Sequence, residues 1–239
     1  MCKDQDGHWI APLPFRSPRS VLHNNRAHAL VRARNLDRTL QKDPLKKKQF
    51  TDFMQGILEQ GHAELAPPVN ENDECWYLPV FGVYHPRKKD KVRIVFDSSS
   101  KHNGISLNDV LLTGPDLINN LLVVLLRFRK EPVAMTADIE QMFYCFRVTE
   151  THRNFLRFIW YKDNDPDQEL VDYRMTVHVF GNSPSPAVAT FGLRRTAEIS
   201  EAEFGNDVKD YVLRNFYVDD GLSSQATSSQ AINLMKRTQ

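Results

Sequence analysis

A chain of 239 residues with 41% apolar, 10% aromatic and 26% charged residues has the composition of one large or two small globular domains, which excludes a disordered chain. Its longest apolar run, Leu121 to Leu126, is far too short to cross a bilayer, and "MCKDQDGHWI" lacks a signal-peptide core, so an intracellular protein is expected. The net charge of +1 hides an asymmetry: eleven Lys/Arg against four acids from Met1 to Phe50, six acids and no base from Thr51 to Cys75, six bases against two acids from Trp76 to Lys101. Two basic segments around an acidic one suit a polyanionic partner such as nucleic acid, since phosphate contacts need only positive charge; the competing reading is a pair of solvated basic faces. Cys2, Cys75 and Cys145 are scattered thiols that fit a reducing compartment better than a disulfide framework or a zinc site.

In chain order, a first helix is expected after Asn24-Asn25 and runs to about Gln41, with Leu30, Ala33, Leu36 and Leu40 as its apolar stripe. A second begins with Asp43 as N-cap and Pro44 at its first position, repeats Phe50, Phe53, Met54, Ile57 and Leu58 at helical spacing, and stops at Gly61. "APPVNEND" (66–73) reads as a loop. "WYLPVFGVYHP" and "KVRIVFD" flank "RKKD", which predicts a hairpin with a basic tip, Pro79 marking an edge or a break. "PDLINNLLVVLLRFRK" reads as a buried helix from Pro115, and "VAMTAD" (133–138) as a strand that ends on a carboxylate. "NFLRFIWY" and "ELVDYRM" form a second hairpin around "KDNDPDQ". "SPAVATFGLRRTAEISEAEF" is a helix, and "NFYVDDG" a strand entering a tight Asp-Gly turn. Hairpins mixed with separate helices place the fold in the α+β class rather than among doubly wound parallel sheets.

Two strand ends carry acids, Asp138 on one and Asp219 with Asp220 on the other. If the strands are neighbours, three carboxylates meet, and such a cluster needs divalent cations. Mg²⁺ takes oxygen ligands and keeps positions for water or substrate phosphate, and a pair of ions about 3.5–4 Å apart suits phosphoryl transfer to a 3′-hydroxyl. The alternatives are plain: Asp220-Gly221 as a mere turn, and Asp138 as a cap for a helix at Ile139.

Around these acids the wording resembles reverse transcriptases. "FYVDD" is similar to their metal-binding hairpin, "TADIEQMF" to their first catalytic strand, and "FGNSPSPAVATFGL" to the segment beneath the incoming nucleotide. The series "WYLP", "KVRIVFDSSSKHNGISLNDVLLTGPDL", "LLRFR", "ADIEQMF", "RFIW", "YRMTVHVFGNSPSP", "FYVDD" resembles, in that order, the polyproteins of BEL/Pao-type long-terminal-repeat retrotransposons, over roughly Asp6 to Lys236. The resemblance implies an RNA-directed DNA polymerase with a right-hand fold. Its parts would be a basic helical segment (1–70) leading into fingers (71–132), the first catalytic strand of the palm (133–150), a fingers/palm hairpin (151–180), and the palm with its aspartate hairpin (181–239). It implies primed RNA or DNA template and deoxynucleoside triphosphates as partners, two Mg²⁺ ions replaceable by Mn²⁺, no membrane, and cytoplasmic retroelement particles as the location.

By resemblance, Asp138, Asp219 and Asp220 are the metal-binding catalytic acids, with the Ile139 carbonyl as an extra ligand. Phe143, five residues after Asp138, is the aromatic that crowds the sugar's 2′ position, against the alternative of a core phenylalanine. Arg93, four residues before Asp97, corresponds to the arginine that stacks on the base and contacts triphosphate. Lys88, Lys89 and Lys91 are open candidates for a second phosphate contact. "TVHV" replaces the Leu-Pro-Gln-Gly of retroviral enzymes, which puts His178 in the glutamine's place as a nucleotide-contact candidate or a satisfied histidine, and Val179 in a glycine's. The chain stops at Gln239, in the expected helix after the hairpin, so a polyprotein fragment is expected, without thumb, ribonuclease H or integrase portions. The rival readings are a catalytically inactive nucleic-acid-binding remnant and an interaction protein in which Asp-Asp-Gly is a turn. A carboxylate metal nuclease is disfavoured because no His or Lys base stands at a recognisable spacing from the acids.

Overall fold

The structure is a computed structural model that describes residues 1–70, 73–85 and 88–238, the side chains of 85 and 88–91 excepted. The N-terminal half forms β1 (Cys2–Lys3), β2 (Trp9–Ala11), α1 (Arg26–Leu40), α2 (Pro44–Glu59), β3 (Ala63–Leu65), β4 (Val80–His85), β5 (Lys88–Phe96), α3 (Leu107–Val110) and α4 (Leu121–Phe128). The middle forms β6 (Val133–Asp138), β7 (Phe146–Val148), α5 (Glu150–Arg153), β8 (Arg157–Tyr161) and β9 (Leu170–Met175). The remainder forms α6 (Ser185–Ile199), α7 (Glu201–Phe204), α8 (Asn206–Asn215), β10 (Phe216–Tyr217), β11 (Asp220–Gln225) and α9 (Ser228–Thr238). The chain divides into two units, Met1–Thr113 with Phe146–Ser185 and Gly114–Cys145 with Pro186–Gln239. Separate helices and small sheets agree with the α+β expectation, the parallel pair of β2 and β7 being an exception to the antiparallel pattern.

In the first unit, local chemistry sets the helices. The Asp43 carboxylate accepts the Lys46 N–H at 3.0 Å, Pro44 supplies a pre-set φ, and Gly61 at φ +67° ends the turn after α2. Phe50, Met54 and Ile57 form the buried face of α2. The hairpin of β8 and β9 lies at the centre: every residue of β8 is buried, and Phe158 stacks on its cross-strand partner Tyr173 at 5.7 Å and meets Phe96 edge-on at 5.0 Å. β5 already begins at Lys88, so Lys88 and Lys89 belong to a strand rather than to a turn, while Pro86 and Arg87 lie outside the described residues.

The second unit is a three-stranded antiparallel sheet, ordered β10-β11-β6, with helices on one face. Met135, Ala197, Val208, Tyr211, Val212, Phe216, Ala231 and Leu234 form its core. Three expectations change here. Pro115 does not open a helix; Asn120 caps α4 by accepting the Val123 N–H at 3.3 Å, because a short amide competes well for backbone groups. Nor is α4 buried all round: Val124 is, whereas Leu122 and Leu126 are 65% and 64% exposed. The segment before the paired aspartates is the helix α8, followed by a strand of two residues, because Val208, Tyr211 and Val212 repeat at helical spacing and pack into the core.

Candidate active site

Register brings the acids together. Across the sheet, Asp220 lies opposite Asp138 on one side and Tyr217 on the other, and the next row is Phe216, Gly221 and Ala137. Directly opposed residues in antiparallel strands share a face, with Cβ atoms about 4.5–5.5 Å apart. Asp138 and Asp220 are both exposed on that face, while Phe216 and Gly221 are buried on the other. Asp219 sits in the connecting turn, and its carbonyl accepts the Ile139 N–H at 3.0 Å. That bond ties the turn to the first residue after β6, so the three acids gather at one end of one sheet.

The turn itself departs from the sequence expectation. The two residues between Tyr217 and Asp220 are Val218 and Asp219, so the tight turn is Val-Asp, not Asp-Gly. Val218 has φ +58°, a left-handed conformation that costs a β-branched residue about 1–3 kcal/mol. Gly221 lies inside β11 and serves a different need: a Cβ there would stand 2.5 Å from Tyr211 Oη and 2.6 Å from Phe216 Cζ. Tyr211 Oη is buried without a hydrogen-bond partner, and burial pushes the phenol up to about 12.

Oxygen-only donors on one exposed sheet end fit Mg²⁺ in kind. Among the described residues, Asp4, Asp6 and His8 have ligand atoms all within 4.8 Å of one another, and Asp138, Asp219 and Asp220 do not. Three like charges repel, and a pair of ions about 3.5–4 Å apart takes a donor set wider than one ion's shell. The tighter N-terminal group has an internal cation instead, because Asp4 ion-pairs with Arg147 at 2.7 Å.

The other candidates fall in two places. Phe143 belongs to the unit of the three aspartates and lies half-buried in a 3₁₀ turn, Met142–Cys145, after β6. Arg93, Lys91 and His178 belong to the first unit. Arg93 is exposed on β5 with its guanidinium 5.2 Å over the ring of Phe180, itself 47% exposed. Phe180 escaped the sequence reading, although "FGNSP" places it two residues after His178. The side chain of Lys91, like those of Lys88 and Lys89, lies outside the described residues.

His178 requires a correction. Its ring is 0% exposed, Nε2 donates to the Ala11 carbonyl at 3.2 Å, and burial lowers its pKa to about 4. A ring with no accessible surface is a core histidine in this arrangement, not a nucleotide contact. A small apolar segment on each side, Val177 and Val179, carries it inward.

The sequence matches no protein-family model and no curated protein. Solved structures do match. The chain is similar to a foamy viral protease-reverse transcriptase in complex with double-stranded DNA, with a TM-score of 0.59 and 18% identity over 96% of this chain and 31% of that one. It is also similar to a foamy viral protease-reverse transcriptase in complex with an RNA/DNA hybrid, with a TM-score of 0.56 and 17% identity over 96% of this chain and 25% of that one. The chain has a reverse-transcriptase-like fold. It spans about a third or less of the length of these structures. Among the described residues, no helix is long and apolar enough to cross a membrane.

Proposed function

We propose that this chain is the RNA-directed DNA polymerase domain of a BEL/Pao-type retrotransposon polyprotein, and that it extends a primer 3′-hydroxyl with deoxynucleoside triphosphates. The observation that carries the reading is the pairing of Asp220 with Asp138, with Asp219 tied to Ile139 beside them. The reverse-transcriptase-like fold supports it, as do the nucleic-acid complexes in which the similar foamy viral proteins were solved.

In this reading Asp138, Asp219 and Asp220 hold two Mg²⁺ ions, with the Ile139 carbonyl as an added ligand. When bound, the ions supply charge neutralisation of the triphosphate and activation of the attacking hydroxyl. The protein's own part is placement. β6 and β11 present two carboxylates side by side on a face the core leaves free, and the strained Val218 turn presents the third. Phe143 crowds the 2′ position and so favours deoxyribose. Arg93 gives a planar cation for phosphate and base, with Phe180 beneath it. The basic N-terminal segments hold template phosphates in a salt-sensitive way.

The test is primer extension on an RNA template with deoxynucleotides and Mg²⁺ or Mn²⁺, with Asp219→Asn in parallel. Extension by the wild type and a loss of about a hundred- to a thousandfold in the variant are expected, the scale on which removal of a charge-stabilising group acts. Nucleic-acid binding that survives in both proteins, with extension in neither, would replace this reading by that of an inactive nucleic-acid-binding remnant.

A further inference from the structure

We propose that Asn119, oriented by Arg194, is a positioning residue for the aspartate hairpin; the inference rests on the polymerase reading for its consequence but not for its geometry. β10 is two residues long and forms the edge of its sheet, paired with β11 on one side and, among the described residues, with no strand on the other. Ladder bonds alternate along an antiparallel pair, so an edge strand turns some carbonyls outward, where they need another donor. The Phe216 carbonyl is such a group, and Asn119 Nδ2 donates to it at 2.8 Å. The same amide nitrogen donates to the Leu213 carbonyl in the last turn of α8 at 3.0 Å. One side chain thus locks the end of the helix to the strand that leads directly into Tyr217, Val218 and Asp219.

The orientation of the amide is determined chemically. Arg194 has only donors to offer and reaches Asn119 Oδ1 at 3.3 Å, so the oxygen must face Arg194 and the nitrogen must face the two carbonyls. Two other side chains complete the junction. Arg127 donates to the Arg214 carbonyl at 2.7 Å, and Asn215 Nδ2 to the Leu222 carbonyl at 3.0 Å. Of the four side chains, that of Asn119 is the one hydrogen-bonded to β10. Its effect is therefore directed at the strand three residues before Asp219, where a small rotation would move both hairpin carboxylates away from Asp138.

The plain alternative is that Asn119 merely caps α8, and Arg127 provides the control because its side chain caps the same helix, while its tie to β11 is a backbone carbonyl that accepts the Ser224 hydroxyl at 3.1 Å and survives substitution. The experiment compares Asn119→Ala and Arg127→Met in the full chain, by amide hydrogen exchange of peptides spanning 216–221 and by Mn²⁺ affinity from electron paramagnetic resonance. We expect exchange in that segment to rise and Mn²⁺ affinity to fall about tenfold in Asn119→Ala, the scale of lost buried hydrogen bonds, with neither change in Arg127→Met. Equal changes in the two variants, or none in Asn119→Ala, overturn the proposal. Should Asn119→Ala fail to fold, Arg194→Met decides instead: it leaves Asn119 in place but removes the donor that orients its amide, so exchange must still rise within 216–221. Hairpin exchange does not depend on synthesis. A wild type that extends no primer, yet whose hairpin loosens on Asn119→Ala, upholds the positioning role and sinks the polymerase reading.

Discussion

Two hairpins of this protein follow opposite rules. The β8–β9 hairpin puts its left-handed residues where the chemistry is easy: Asp163 at φ +53° and Asn164 at φ +58°, both short polar side chains that tolerate that conformation. Asn164 also accepts the Trp160 Nε1 hydrogen at 2.8 Å and donates to the Thr51 carbonyl at 2.9 Å. The β10–β11 hairpin puts Val218 at φ +58°, sets two acids side by side, and uses its glycine inside a strand. One hairpin is made stable by burial and local preference. The other is held against local preference by close packing and side-chain bonds to its edge, which is the expected condition of a working site.

Breaking the first hairpin should cost the most stability. Phe158→Ala removes a ring stacked on Tyr173 and wedged against Phe96, and a loss of about 3–5 kcal/mol is expected. Trp9, Trp76 and Trp160 all lie in the first unit, so the midpoint of denaturant unfolding followed by tryptophan fluorescence reads that unit directly. A loss below about 1 kcal/mol would mean that aromatic packing does not hold this hairpin.

The second hairpin should answer to fit rather than bulk. Gly221→Ala forces a methyl group onto Tyr211 Oη and the Phe216 ring, and a loss of about 1–3 kcal/mol is expected by calorimetry. Tyr211→Phe alone should be nearly neutral, since the hydroxyl is buried and unbonded, and combined with Gly221→Ala it should restore part of the loss. If the double variant is no more stable than Gly221→Ala, the Phe216 ring and not the hydroxyl sets the fit. A small effect on stability is also expected from Val218→Gly. Relief of strain and the entropy of glycine nearly offset each other, so stability should stay within about 1 kcal/mol while primer extension falls. A larger stability loss would show that the Val218 side chain, not its backbone, is what the hairpin needs.

Much of this was legible along the chain because it depends on near neighbours. The cap at Asp43, the stop at Gly61, the strand Val133–Asp138 and the β8–β9 hairpin all follow from residues a few positions apart, whose backbone preferences and periodicity act locally. The candidacy of Asp138, Asp219 and Asp220 was equally plain from residue type and order. Other features lay beyond any local rule. That Asp220 faces Asp138 is a matter of register between strands some eighty residues apart. That the turn is Val218-Asp219 rather than Asp220-Gly221 goes with the packing of Tyr211 and Phe216 onto Gly221, which leaves no room for a side chain at that position of β11. His178 is drawn into the core by the valines beside it and by the carbonyl of Ala11, and Asn119 reaches the hairpin through hydrogen bonds spanning more than ninety residues. The sequence by itself determined the caps, most of the strands and the chemistry they carry, but not α8 or the start of α4. Tertiary structure decided which groups meet, because burial, register and long-range hydrogen bonds are settled only when distant segments pack.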